Sequence, residues 1–238
     1  MSAQKLLREL REQANPDKAR QLRRFFKTGP GEYGAGDVFL GVTVPVVRSI
    51  ARNYLDLPLT ELRKLSRSRF HEVRFSALVI LTLQYRRAET RARERELYTF
   101  YMNQLKSGGV NNWDLVDVSA PIIGEYLLSE RGARTLLRKM ARSSDLWIRR
   151  TSILFTFASL RIGDTKPTLD ICTMLLADEH DLIQKAVGWA LREVGKIDPA
   201  QLRSFLKDKG QKMSRTSLRY SIERFPPKER KAWLERIR

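Results

Sequence analysis

Trp113 and Asp117 stand four residues apart in the stretch Asn111-Asn112-Trp113-Asp114-Leu115-Val116-Asp117. A helix turns ~100° per residue, so these two side chains project within about 40° of each other. Asn112 is a good N-cap residue, and Asp114 falls in the first turn, where the helix dipole favours an anion. Asp117 lies past that turn and lacks this explanation. A flat apolar ring beside a negative charge suits a cationic, electron-poor ligand. The competing reading is a core tryptophan and a surface carboxylate that share a helix by chance.

The elements that must position this pair are helical. Apolar periodicity predicts helices at 2–13, 16–27, 45–54, 59–66, 70–87, 91–107, 112–128, 130–141, 145–162, 166–177, 181–196, 199–208, 214–223 and 227–237. Asn15-Pro16 is a cap followed by proline at the first helical position; Pro45 and Pro58 mark further starts. Pro121 splits or kinks its helix. Ser129 and Asp198 are expected caps, and Gly108-Gly109 ends a helix. No segment alternates with period two for long, so the chain is all-α. The loop Thr28–Asp37 is dense in glycine but lacks the Gly-Lys-Ser/Thr ending and the preceding strand of a P-loop. It reads as a connector with positive-φ glycines, or as backbone N–H groups offered to phosphate.

Composition narrows the partner. The 238 residues hold 45 Lys+Arg against 27 Asp+Glu, a formal charge of +18, and 42% are hydrophobic. A chain this basic repels itself unless its usual partner is a polyanion, and nucleic acid is the first reading. Membrane binding is disfavoured by the lack of an isolated basic amphipathic helix with a long apolar face. Cys172 is the single cysteine and His71 and His180 the two histidines, which excludes a disulfide framework and argues against a Cys/His metal site. Met1 to Leu10 has no apolar leader core, so the expectation is a soluble cytoplasmic, nucleoid-associated monomer without cofactor or metal.

A repeat runs through the helices. Val73-Arg74-Phe75-Ser76-Ala77-Leu78 resembles Ile148-Arg149-Arg150-Thr151-Ser152-Ile153, then Ile183-Gln184-Lys185-Ala186-Val187-Gly188-Trp189, then Met213-Ser214-Arg215-Thr216-Ser217-Leu218. A period of roughly 30–40 residues with paired helices indicates a HEAT-like solenoid, one domain over 1–238, whose inner helices line a concave face. The repeat sets Trp113, Arg149 or Arg150, and Lys185 or Trp189 on the second helix of successive units, with Arg74 and Arg215 in the same register. A stripe of such cations is a groove for a phosphate backbone; the alternative is stem packing with solvated heads. The Arg86–Glu96 region alternates charge as a solvated helix face does. Trp147 reads as core.

Three segments, taken together and in order, resemble the AlkD-type DNA glycosylases, the HEAT-like family that excises alkylated purines. They are Phe39-Leu40-Gly41-Val42 with Pro45 and Arg48, then Trp113-Asp114-Leu115-Val116-Asp117, then Trp147-Ile148-Arg149-Arg150 followed by Ile183–Glu193. The resemblance implies that Asp117 is the catalytic carboxylate, that Trp113 and Trp189 flank the lesion nucleotide, and that Arg150 holds phosphate. Arg149, Lys185, Arg74, Arg192 and Arg215 join it as DNA contacts. Two positions depart: Thr43 stands where the family has glutamine and Phe25 where it has tyrosine, both on the DNA side. The implied reaction is hydrolysis of the N-glycosidic bond of N3- or N7-alkylated purines in duplex DNA, a 3-methyladenine/7-alkylguanine glycosylase that leaves the base outside any enclosing pocket. The alternative is a HEAT-repeat protein that binds DNA or RNA without catalysis.

Overall fold

The computed structural model describes residues 1–237, and among them the secondary structure is helical apart from one isolated parallel bridge between Val38 and Phe70. The helices fall into two compact units, Met1–Ile123 and Gly124–Arg238. The first holds α1 (Ala3–Glu12), α2 (Pro16–Phe25), α3 (Val44–Arg52), α4 (Leu59–Ser66), α5 (His71–Arg86), α6 (Arg91–Lys106) and α7 (Trp113–Ile123). The second opens on a 3₁₀ helix (Gly124–Ser129) and continues through α8 (Ala133–Ala141), α9 (Leu146–Phe155), α10 (Phe157–Arg161), α11 (Lys166–Met174), α12 (Asp181–Ile197), α13 (Pro199–Lys209), a short 3₁₀ turn (Gly210–Lys212), α14 (Arg215–Ser221) and α15 (Pro227–Arg236).

Each expected helix is present, within a few residues at its ends, and the differences have local causes. Helix α7 runs through Pro121 and then tightens into the 3₁₀ helix, since the missing N–H and the ring favour leaving the α geometry. The segment 145–162 is two helices that meet at Thr156, whose hydroxyl bonds the Ile153 carbonyl at 2.6 Å. Ser129 does not cap α8; that helix starts later, behind Gly132. Asn15 and Asp198 do cap, accepting from the N–H of Lys18 and of Gln201. Trp147 is half-buried rather than core.

In the first unit, α5 is the axis. Residues 71–82 are buried without a break, and α3, α4, α6 and α7 pack around it. A helix buried on all sides has no solvated stripe for polar side chains. Its first turn nevertheless carries His71, Glu72 and Arg74, each at most 5% exposed. In the second unit, α12 takes the central place, with α9, α11, α13 and α14 against it. Gly188 on α12 faces α14 at close quarters: a Cβ there would stand 2.5 Å from the Tyr220 Cβ and 2.6 Å from the Ser217 carbonyl oxygen. No helix among the described residues is long and apolar enough to cross a membrane.

Candidate functional site

Trp113 opens α7 and is half-buried, as is Asp117 one turn on. Asn112, fully buried, sets the start of the helix: its Oδ1 accepts from the Trp113 N–H at 2.9 Å. The Trp113 ring lies flat on Phe26 (centroids 5.3 Å apart, 12° between planes) and meets Phe25 edge-on at 5.9 Å. Phe26 packs in turn on Phe39 within a small cluster that includes Ala19 and Leu22. One face of the indole is thus a backed wall. Stacked and edge-on aromatic contacts of this kind add about 0.5–1.5 kcal/mol each beyond burial.

Beneath that wall lies a buried charge network. His71 Nε2 stands 2.8 Å from Asp114 Oδ2, and Nδ1 stands 3.0 Å from Asp37 Oδ2. Arg74 Nη2 donates to Asp37 Oδ1 at 2.6 Å, and the amides of Asn111 and Asn112 donate to the same carboxylate at 3.3 and 3.2 Å. Burial by itself would lower the His71 pKa; the charges and hydrogen bonds of Asp114 and Asp37 outweigh it and raise the pKa to about 9 from 6.5. Burial likewise opposes the Asp37 charge, yet His71, Arg74 and Asn112 hold its carboxyl below the usual value. Asp114 therefore does more than meet a helix dipole. It ties the first turn of α7 to the first turn of α5.

The next residue of α5 performs a parallel task on the other side. Glu72 accepts three backbone N–H bonds, from Leu40 at 3.0 Å, Gly41 at 2.8 Å and Val42 at 3.3 Å. This cage fixes the Phe39-Leu40-Gly41-Val42 turn. Gly41 has φ +84°, and a Cβ there would lie 2.0 Å from the Asn15 carbonyl oxygen, so only glycine fits between this turn and α2. Leu40 completes the contact by accepting from Asn15 N at 2.9 Å. Thr43 follows at once; it is exposed and its side chain makes no capping bond to α3. A groove of about 240 Å³ runs here, between Lys18, Leu22, Thr43 and Val44 at its edge and Phe39, His71, Phe75 and Asp114 below.

In the first unit Phe25 meets Trp113, Asp117 lies one turn further along α7, and Thr43 follows the Phe39–Val42 turn. Phe25 is 64% exposed, unusual for so large an apolar ring. In the second unit, Trp189 is half-buried, meets Phe157 edge-on at 4.9 Å and donates from Nε1 to Glu193 at 3.2 Å. Lys185 pairs with Asp181, Arg192 with Glu223 and Glu193, and Arg215, itself exposed, donates to the carbonyls of Leu234 and Ile237.

The recurrence of a long polar donor at one repeat position has a cause of its own. Arg74 donates to the Ser68 carbonyl, Arg149 to the Ser143 carbonyl and Gln184 to the Asp178 carbonyl, each six residues back, at 2.8, 3.0 and 3.1 Å. The same position in three repeats satisfies a carbonyl of the loop that leads into its helix. Arg149 also bonds Asp178 at 2.8 Å. Arg150 is 4% exposed and donates to the Leu182 carbonyl at 2.5 Å. In this structure both heads are turned into the protein: Arg74 toward Asp37 and the loop carbonyl of Ser68, Arg150 toward the Leu182 carbonyl in the first turn of α12.

His71, Glu72 and Asp37 were not singled out from the sequence as site residues, and Arg74 was read only as a DNA contact. The signal was available: three polar side chains in the first turn of an otherwise apolar helix are costly unless each meets a partner. Among the described residues no cluster of three His, Cys, Asp or Glu side chains is placed to hold a metal ion.

Residues 6–225 match the family model of the DNA alkylation repair enzymes, and the chain belongs to that family. A solved structure described as a predicted DNA alkylation repair enzyme from Enterococcus faecalis has the same fold, with a TM-score of 0.70 at 18% identity over 90% of this chain and 98% of that one. No curated protein matches the chain. The all-α, helical-repeat architecture is that of these repair proteins.

Proposed function

With membership of the DNA alkylation repair enzymes as the premise, we propose that the protein is a DNA glycosylase acting on N3- and N7-alkylated purines in duplex DNA. The observation that carries the reading is Asp117 one helical turn beyond Trp113, on a helix whose first turn is bonded to α5 through Asp114 and His71. An alkylated purine carries a positive charge and departs readily, so the chemistry asks little of a general acid. It asks for a carboxylate beside the sugar, where oxocarbenium charge develops, and for a placed water. A carboxylate at ~4 Å contributes about 4 kcal/mol at an effective dielectric near 20, which corresponds to about three orders of magnitude in rate. Trp113 supplies a flat face for the cationic nucleotide, and the family resemblance gives Trp189 of the second unit a like role.

The formal charge of +18 supports duplex DNA as partner. With Arg74 and Arg150 turned inward, phosphate contact in this reading passes to half-buried or exposed groups of the second unit, Arg149, Lys185, Arg192 and Arg215; Thr43 and Phe25 keep the DNA-side role that the resemblance implies. The base is engaged without enclosure, so bulky alkyl groups are tolerated and uncharged bases such as uracil are not excised.

The test is release of free base from duplex DNA bearing 7-methylguanine, wild type against Asp117→Asn, with duplex affinity measured beside it. Loss of about a thousandfold in single-turnover rate with affinity kept or improved is the expected result. Tight, salt-sensitive binding with no release from the wild type would instead favour a non-catalytic DNA binder, with Thr43 and Phe25 as the first positions to examine.

A further inference from the structure

We propose that His71 is a positioning residue for this site: as an imidazolium bridging Asp37 and Asp114, it fixes the first turn of α7 and thereby the placement of Trp113 and Asp117. The inference rests on the glycosylase reading for its catalytic consequence, but not for its geometry.

A neutral imidazole has one N–H donor, and carboxylates only accept. Both His71 ring nitrogens lie within hydrogen-bond distance of carboxylate oxygens, at 2.8 and 3.0 Å. Only the doubly protonated ring satisfies both. The charges balance when Asp37 and Asp114 are ionised and His71 and Arg74 are cationic. Every element that faces the ring takes part. Helix α7 brings Asp114, the segment before it brings Asn111 and Asn112 to Asp37, and α5 brings Arg74 to the same carboxylate. Glu72, next along α5, is occupied by the backbone of residues 40–42. Phe39 stacks on the imidazole (4.6 Å, 23°), Phe26 lies tilted against it at 4.9 Å, and Phe26 in turn supports Trp113.

Two links therefore run from one ring to the reacting helix. One is the hydrogen bond to Asp114, one position after Trp113 and three before Asp117. The other is the aromatic path through Phe26. Loss of the His71 proton leaves a carboxylate facing a lone pair. The first turn of α7 then has reason to shift away from α5, and both functional side chains shift with it. The raised pKa means that the bridge stays intact at neutral pH and opens near pH 9.

The experiment is single-turnover base release from 7-methylguanine duplex between pH 6.5 and 10, corrected for uncatalysed loss. Duplex affinity is measured at each pH, and Trp113 fluorescence is taken as the difference between wild type and Trp113→Phe. His71→Gln is expected to lower release about 10- to 100-fold with affinity within about twofold, the scale of a misplaced catalytic group. The wild-type rate and the Trp113 signal should both step near pH 9, and both steps should vanish in His71→Gln. Should that variant fail to fold, Asp114→Asn serves. Its amide meets a neutral imidazole, so the fluorescence step moves to lower pH. A His71→Gln protein with wild-type rate, with the step retained, or with rate and affinity falling in parallel overturns the proposal. A wild type that releases no base refutes the glycosylase reading instead, and the fluorescence titration then decides the positioning role alone: a step near pH 9 that needs His71 supports it, and its absence from the wild type overturns it.

Discussion

The His71 bridge also makes a thermodynamic prediction that needs no DNA. The folded pKa is about 9 against 6.5 for an unperturbed histidine. A raised pKa means that the folded state binds the proton more tightly than the unfolded chain. The stabilisation is therefore fully present below pH 6.5, declines as the unfolded chain stops binding the proton, and is lost as pH rises through about 9. With 1.36 kcal/mol per pH unit, the difference amounts to about 3 kcal/mol. The side chain is 3% exposed, so solvent screening removes little of it. Against a typical total of about 5–15 kcal/mol this is a large share. At a urea dependence of about 3 kcal/mol per molar, the unfolding midpoint should fall by roughly 1 M between pH 6.5 and 9.5. Urea titrations followed by Trp113 fluorescence would measure it, with His71→Gln as the reference that removes the contribution of other groups titrating in the window. The reasoning fails if the wild-type midpoint stays level across that window, or if His71→Gln falls as far as the wild type.

Other perturbations probe the frame. Glu72→Ala leaves three backbone N–H groups of residues 40–42 without their acceptor. At about 1–3 kcal/mol per orphaned donor, chemical denaturation should show most of the stability of the first unit gone, while Glu72→Gln, which retains one acceptor oxygen, should cost far less. Gly41→Ala combines φ +84° with a 2.0 Å clash against the Asn15 carbonyl, and should cost more than the ~1 kcal/mol of an unhindered left-handed alanine, read as a drop in melting temperature. Arg149→Met removes the donor to the Ser143 and Ser144 carbonyls and to Asp178; it should destabilise by about 2–3 kcal/mol, and a loss of DNA affinity without loss of stability would return Arg149 to a purely external role.

Helices, caps and the repeat were legible in the sequence because they depend on near neighbours. Asn15-Pro16 and Asp198-Pro199 start helices through bonds that span three residues, and apolar periodicity reports which face each helix buries. The Trp113–Asp117 pair was legible for the same reason, since a helix fixes residues four apart. Resemblance in three ordered segments carried the family, which the match over residues 6–225 shows.

Direction was not legible. Whether a recurring arginine points at solvent or at a carbonyl six residues behind it depends on how the preceding loop folds back, and the spacing in sequence is the same for both. Arg74 reaches the Ser68 carbonyl six residues back, Arg150 reaches the Leu182 carbonyl of α12, and both heads are buried. The Asp37–His71–Asp114 bridge joins positions 34 and 43 residues apart. No local periodicity ties a loop aspartate, a histidine in the first turn of a buried helix and an aspartate in the first turn of another. The sequence determined which residues are helical and that Trp113 and Asp117 share a helix face. The tertiary structure decided what holds them, because a buried charge can be placed only where the fold brings its counter-charge within hydrogen-bond reach.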